Sequence, residues 1–215
     1  MNLYRNFFRL TLMLMLAIGG SYAFADDDDH GKGGWRSLQS AEMIDFATGD
    51  PVKGGGTLLR GKNEVEARLS TMGLDAGAAY TVWWVIFNRP SRCSNPGCGE
   101  DDIFSGPGML NRFGIDQAQI SVVYANGFVT GAHGVANVTA HLNAGKLPEG
   151  WGVNFGWKND RKSGLKKGNG NKAELHMVVR SHGPAIVGQV GFQTSNFDGA
   201  CGVCSDQQAI VFNPL

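Results

Sequence analysis

Residues Ala173 to Ala185 (AELHMVVRSHGPA) gather the densest set of groups able to do chemistry. Leu175, Met177 and Val179 alternate with Glu174, His176, Val178 and Arg180. A strand therefore puts Glu174, His176 and Arg180 on one face, with i, i+2 neighbours about 7 Å apart. His182 follows at the strand's end, before Gly183-Pro184. A carboxylate, two imidazoles and a guanidinium on one face could bind a metal or an anion, or move a proton. His141 and His133, elsewhere in the chain, could add ligands.

Plain surface chemistry explains the same residues more simply. Wet strand faces routinely carry Glu, His and Arg, and a Glu–Arg pair on one is commonly mere surface. The compact metal motif H-E-x-x-H and the nucleophile motif G-x-S-x-G are both missing. Gly54-Gly55-Gly56 lacks the following helix that a phosphate cradle needs. The expectation is a solvated face with no metal and no cofactor; His141, His176 and His182 are the imidazoles that a metal would use.

Cys93, Cys98, Cys201 and Cys204 form two close pairs. In an oxidising compartment an even count favours two disulfides, with three pairings open. Ser94-Asn95-Pro96-Gly97 is turn-forming and favours the local pair, whereas crossed pairings would close longer loops and stabilise by roughly 4–5 kcal/mol in the chain-entropy model. A four-cysteine zinc site is the rival reading. The flanks of Cys201-Gly202-Val203-Cys204 look like a turn and a strand, unlike the strand and helix around a thioredoxin-type pair.

The elements that must position these residues read as strands almost throughout. Val65, Ala67 and Leu69 alternate with charged neighbours, giving a half-buried strand. Tyr80 to Asn88 (YTVWWVIFN) is apolar on both faces and belongs in a sheet centre covered on both sides. Ile120 to Tyr124 and Phe128 to Thr130 flank Asn126-Gly127, a hairpin signal. Further strands are expected over Ala136 to Leu142, Ala173 to Arg180, Ile186 to Phe192 and Gln208 to Phe212, with at most a helical turn or two in Asp101 to Phe113. The sum is an all-β chain, an antiparallel β-sandwich of about eight strands.

Arg5 and Arg9, the apolar run Leu10 to Ile18 and Ala23-Phe24-Ala25 have the layout of a signal peptide over residues 1–25. Residues 26–34 (DDDDHGKGG) read as a disordered tether, and residues 35–215 as a single domain. The whole chain carries 19 Lys+Arg and 19 Asp+Glu; without residues 1–25 its net charge is −2. That balance gives no general pull toward nucleic acid or an anionic membrane. No later apolar run is long enough to span a bilayer. Lys158 to Lys172 (KNDRKSGLKKGNGNK) reads as a solvated basic loop, with contact to a polyanion or glycan as its sharper use. Trp151, Val153, Phe155 and Trp157 share one strand face; core packing explains them more simply than a sugar platform does.

Five blocks carry a resemblance: GLDAGAAYTVWWVIFNRPSRC, CGEDD, YANGFVTG, AELHMVVRSHGPA and CGVCSDQQAIVF. Together they resemble an uncharacterised family of secreted bacterial β-rich proteins. The resemblance implies a secreted domain with cysteine pairs and gives no reaction. The chain is also similar in architecture to chordin-type and copper–zinc superoxide dismutase sandwiches, but His133, His141, His176 and His182 lack the dismutase spacing. The leading expectation is an exported, periplasmic or extracellular module that binds or scaffolds without catalysis. The alternatives are a metal-dependent or oxidoreductase-like enzyme using Glu174, His176, Arg180 and His182, and a glycan-binding module using Trp151 and Trp157.

Overall fold

The computed structural model describes residues 36–93, 97–104, 118–146, 152–154, 164–202 and 204–215. The expected signal peptide and tether, Trp151, Trp157 and the first part of the basic segment lie outside them.

Nine antiparallel strands form one sheet: β1 (Ser37–Asp45), β2 (Pro51–Arg60), β3 (Glu64–Thr71), β4 (Ala78–Phe87), β5 (Ile120–Val129), β6 (Ala136–Asn143), β7 (Gly152–Asn154), β8 (Glu174–Pro184) and β9 (Ser205–Phe212). Their spatial order is β6-β3-β2-β1-β9-β8-β4-β5-β7. The two short helices are α1 (Glu100–Phe104) and α2 (Val190–Gln193). The all-β antiparallel reading holds, but the arrangement is barrel-like and not a sandwich. Register shifts in β1, β4, β8 and their partners coil the sheet until β6 reaches β5, where Asn126 Nδ2 donates to Thr139 O at 2.8 Å.

Period-two alternation places Tyr80, Val82, Trp84 and Ile86 of β4 inside the barrel. Leu175, Met177 and Val179 of β8 meet them there, with Leu58, Ile210 and Phe212 from neighbouring strands. The outward side chains of β4, Trp83, Val85 and Phe87, enter a second core with Ile120, Val122 and Val178. Every residue of β4 is buried, as its two-faced apolar pattern requires.

Two local expectations fail for tertiary reasons. Asn126-Gly127 does not turn: β5 runs through it, with a bulge where the register against β4 shifts between Val82 and Trp83. Gly127 serves close approach instead, since a Cβ there would sit 1.8 Å from Thr194 O. Ile186 to Phe192 is no strand but a mostly exposed loop leading into α2.

Arg60, at the end of β2, shares the inward parity of Leu58 and is fully buried. Its guanidinium donates to Gly170 O (2.7 Å), Ala173 O (3.0 Å), Phe212 O (3.0 Å), Asn213 O (2.9 Å) and Gln39 Oε1 (3.0 Å). Burial lowers its pKa to about 10, opposed by the charge of Glu174, so it remains a cation at neutral pH. The second part of the basic segment is therefore not a solvated loop. Leu165 enters the core, and Asn169 and Gly170 bond Asn88 and Lys62, leaving Lys167 and Lys172 exposed.

Candidate functional site

Strand β8 does put Glu174, His176, Arg180 and His182 on its outer face, but that face is not wet. Glu174 and His182 are each 2% exposed, and the side chains of His176 and Arg180 are each 13% exposed. The cover comes from Cys98, remote in sequence, at one end, and at the other from residues that follow β8 in the chain, Phe197, Asp198, Gly199 and Cys204. The solvated-face expectation is corrected: the four residues are tied down.

They divide into two pairs. Glu174 Oε1 accepts the Cys98 N–H at 2.7 Å and lies 2.8 Å from His176 Nε2, whose ring leans on Phe87 at 5.0 Å. Arg180 donates to Asp206 Oδ1 (2.8 Å), Asp198 Oδ1 (3.2 Å) and Phe197 O (3.0 Å), with its guanidinium 4.2 Å over the Phe197 ring. His182 Nε2 is 2.8 Å from Thr81 Oγ1, which also accepts the Trp83 Nε1–H at 2.6 Å. The other ring nitrogen, Nδ1, faces Gly199 O at 3.2 Å and Cys204 Sγ at 3.4 Å. Burial pushes the His182 pKa down, while the Gly199 carbonyl pulls it up.

The disulfides are Cys93–Cys98 and Cys201–Cys204, the local pairing. Glu174 touches the first loop and His182 the second, eight residues along one strand, so the pairs stand about 26 Å apart. A single four-cysteine zinc site is thereby excluded. Glu174 holds the first disulfide through the Cys98 N–H, and His182 meets the second at Cys204 Sγ.

His141 does not join this face. It lies on β6, half exposed, 3.7 Å from Glu64, which also pairs with Arg36. His133 lies in the exposed β5–β6 loop. The residues that sequence reasoning missed are Thr81, Phe197, Asp206 and Arg60. Only Arg60 carried a local signal, its parity with Leu58; the others meet β8 across long sequence separations. Glu174, Arg180 and His182 each contact a segment that packs over β8, at Cys98, Phe197 and Gly199. Among the described residues, His182 is grouped with Cys201 and Cys204, and Asp102 with Cys93 and Cys98.

No protein-family model, curated protein or solved structure matches the chain. Among the described residues, no helix is long and apolar enough to cross a membrane.

A second feature lies at the end of the barrel where β3, β5 and β8 finish. Three connecting segments are tied together there by Leu74 N–H to Gly134 O, Gly77 N–H to Thr130 O and Ala185 N–H to Gly77 O. On or beside them sit Met72, Val129, Val135, Ile186, Val187 and Phe192, six of the eight large hydrophobic side chains exposed among the described residues. Val187 is 97% exposed. Over residues 72–77, 129–135 and 183–197 the only Asp, Glu, Lys or Arg is Asp75. The opposite end exposes Lys62, Lys146, Lys167 and Lys172.

Proposed function

We propose that the protein is exported to an oxidising compartment and works there as a non-enzymatic binding module at the cell envelope. Its contact surface is the apolar loop end, and its target is the lipid–water interface. The concentration of exposed hydrophobics on three mutually bonded loops carries this reading, because such patches mark interaction sites. Val187 is almost fully exposed and Ile186 and Phe192 about half exposed, with no charged residue over 183–197. Side chains of that kind suit a deformable apolar medium, and fully burying one yields roughly 1.5–3 kcal/mol. The signal-peptide layout of residues 1–25, the resemblance to secreted proteins and the two disulfides support export. The absence of an open catalytic constellation on β8 favours binding over catalysis.

Co-sedimentation with uncharged phosphatidylcholine vesicles tests this. The chain is expected to bind, with little loss at high salt, and V187D/F192D is expected to weaken binding at least tenfold while leaving the melting transition unchanged. Failure to bind, or binding unaffected by the double substitution, would overturn the reading.

A further inference from the structure

We propose that Cys201, Cys204 and His182 form a redox-gated site for a soft divalent metal ion such as zinc. The Sγ atoms of both cysteines and a ring nitrogen of His182 all lie within 4.8 Å of one another. Tetrahedral zinc, with Zn–S near 2.3 Å and Zn–N near 2.0–2.1 Å, needs an N···S separation of about 3.5 Å and an S···S separation of about 3.8 Å. His182 Nδ1 already stands 3.4 Å from Cys204 Sγ. The sulfurs must part, from the roughly 2 Å of a disulfide, once their bond opens, and Cys201 Sγ, within 4.8 Å of the ring nitrogen, must settle at the same reach. Both cysteines are partly exposed and Gly202 between them is open to solvent, so reductant and ion can reach them.

The imidazole is aimed at the sulfurs by the sheet. Thr81 and Trp83 hold the far side of the His182 ring through Nε2, which keeps Nδ1 turned toward Cys204. In the oxidised protein the Nδ1 proton bonds Gly199 O. With metal on Nδ1, the proton moves to Nε2 and bonds Thr81 Oγ1, the outer-shell partner that metal-ligating histidines require. Two sulfurs and one nitrogen leave a fourth position for water or a further ligand. The other cysteine cluster, Cys93, Cys98 and Asp102, has no imidazole, and Asp102 Oδ2 is occupied by the Gly99 N–H at 3.0 Å.

The step balances with a dithiol as reductant. It gives two electrons and two protons to the Cys201–Cys204 bond and closes its own disulfide, leaving two thiols here. The metal ion then displaces both thiol protons to solvent. Two thiolates and a neutral imidazole around a divalent cation give a neutral centre.

Cobalt(II) titration, before and after anaerobic reduction with a phosphine, reads the site directly. The oxidised chain is expected to show no thiolate-to-cobalt charge-transfer absorption. The reduced chain is expected to bind one cobalt, displaced by zinc. H182Q should weaken binding at least tenfold, and C93S/C98S should leave it intact. As a check that needs no variant, zinc should protect Cys201 and Cys204 of the reduced chain from alkylation and leave Cys93 and Cys98 reactive. Lack of a charge-transfer band, wild-type affinity in H182Q, or protection of Cys93 and Cys98 instead would each overturn the site.

Discussion

Replacing Glu174 by Ala tests whether the outer face of β8 holds the barrel's cover in place. The carboxylate is 2% exposed and engages two groups, the Cys98 N–H at 2.7 Å and His176 Nε2 at 2.8 Å. Hydrogen bonds to a charged group contribute about 1.5–3 kcal/mol each, and truncation leaves the buried Cys98 N–H without this acceptor. The groove bordered by Arg89, Lys172 and Leu215 opens beside Glu174 and lets water recover part of the loss. The expected cost is therefore about 3–4 kcal/mol, similar to the roughly 2–5 kcal/mol for Leu175→Ala on the inward face. Glu174→Gln keeps an acceptor oxygen and should cost about half as much as the Ala variant. Equilibrium urea unfolding with both disulfides intact measures this, the change appearing as a shifted midpoint at constant slope. A cost below about 1 kcal/mol for Glu174→Ala, with Leu175→Ala still expensive, would mean that the face is solvated after all and that the docking account is wrong.

Three further outcomes follow from the same geometry. Arg60→Ala removes a buried cation from four backbone carbonyls and Gln39, and should cost about 3–5 kcal/mol by thermal or urea unfolding; a near-neutral result would show that water replaces the guanidinium at little cost. Gly127→Ala forces a Cβ against Thr194 O and should destabilise by about 2 kcal/mol or more, which differential scanning calorimetry would detect; wild-type stability would mean that the α2 segment shifts freely. Burial raises the pKa values of Tyr80 and Tyr124, so the unfolded chain loses these protons first and stability must fall as pH climbs above 10. Tyr80 and Tyr124 are the two phenols from residue 26 onward, so ultraviolet titration of that processed chain reads them alone; ionisation at or below pH 10 in the folded state would refute their burial.

Strand identity was legible because side-chain alternation is local. Val65 to Leu69, Ala136 to Leu142, Glu174 to Arg180 and Gln208 to Phe212 all lie in strands, and the two-faced apolar run of β4 required cover on both sides. The same periodicity also identified which residues of β8 point inward and which outward. The amino-acid pattern could not distinguish a sandwich from a barrel, because both demand one inward face per strand. Closure depends on strand order and on bulges that appear only when strands pair. Nor could the pattern separate a wet face from a covered one. Glu174, His176, Arg180 and His182 have the composition of a solvated strand. What buries them arrives from the segments that carry Cys98, Phe197, Gly199 and Cys204, whose placement is a property of the assembled chain. Asn126-Gly127 marks the same limit: its turn preference is worth little against the ladder on β4 and the packing of Thr194. Local preferences determined the strands and the parity of their side chains; long-range packing alone decided which polar groups met, and so brought His182 against the Cys201–Cys204 pair.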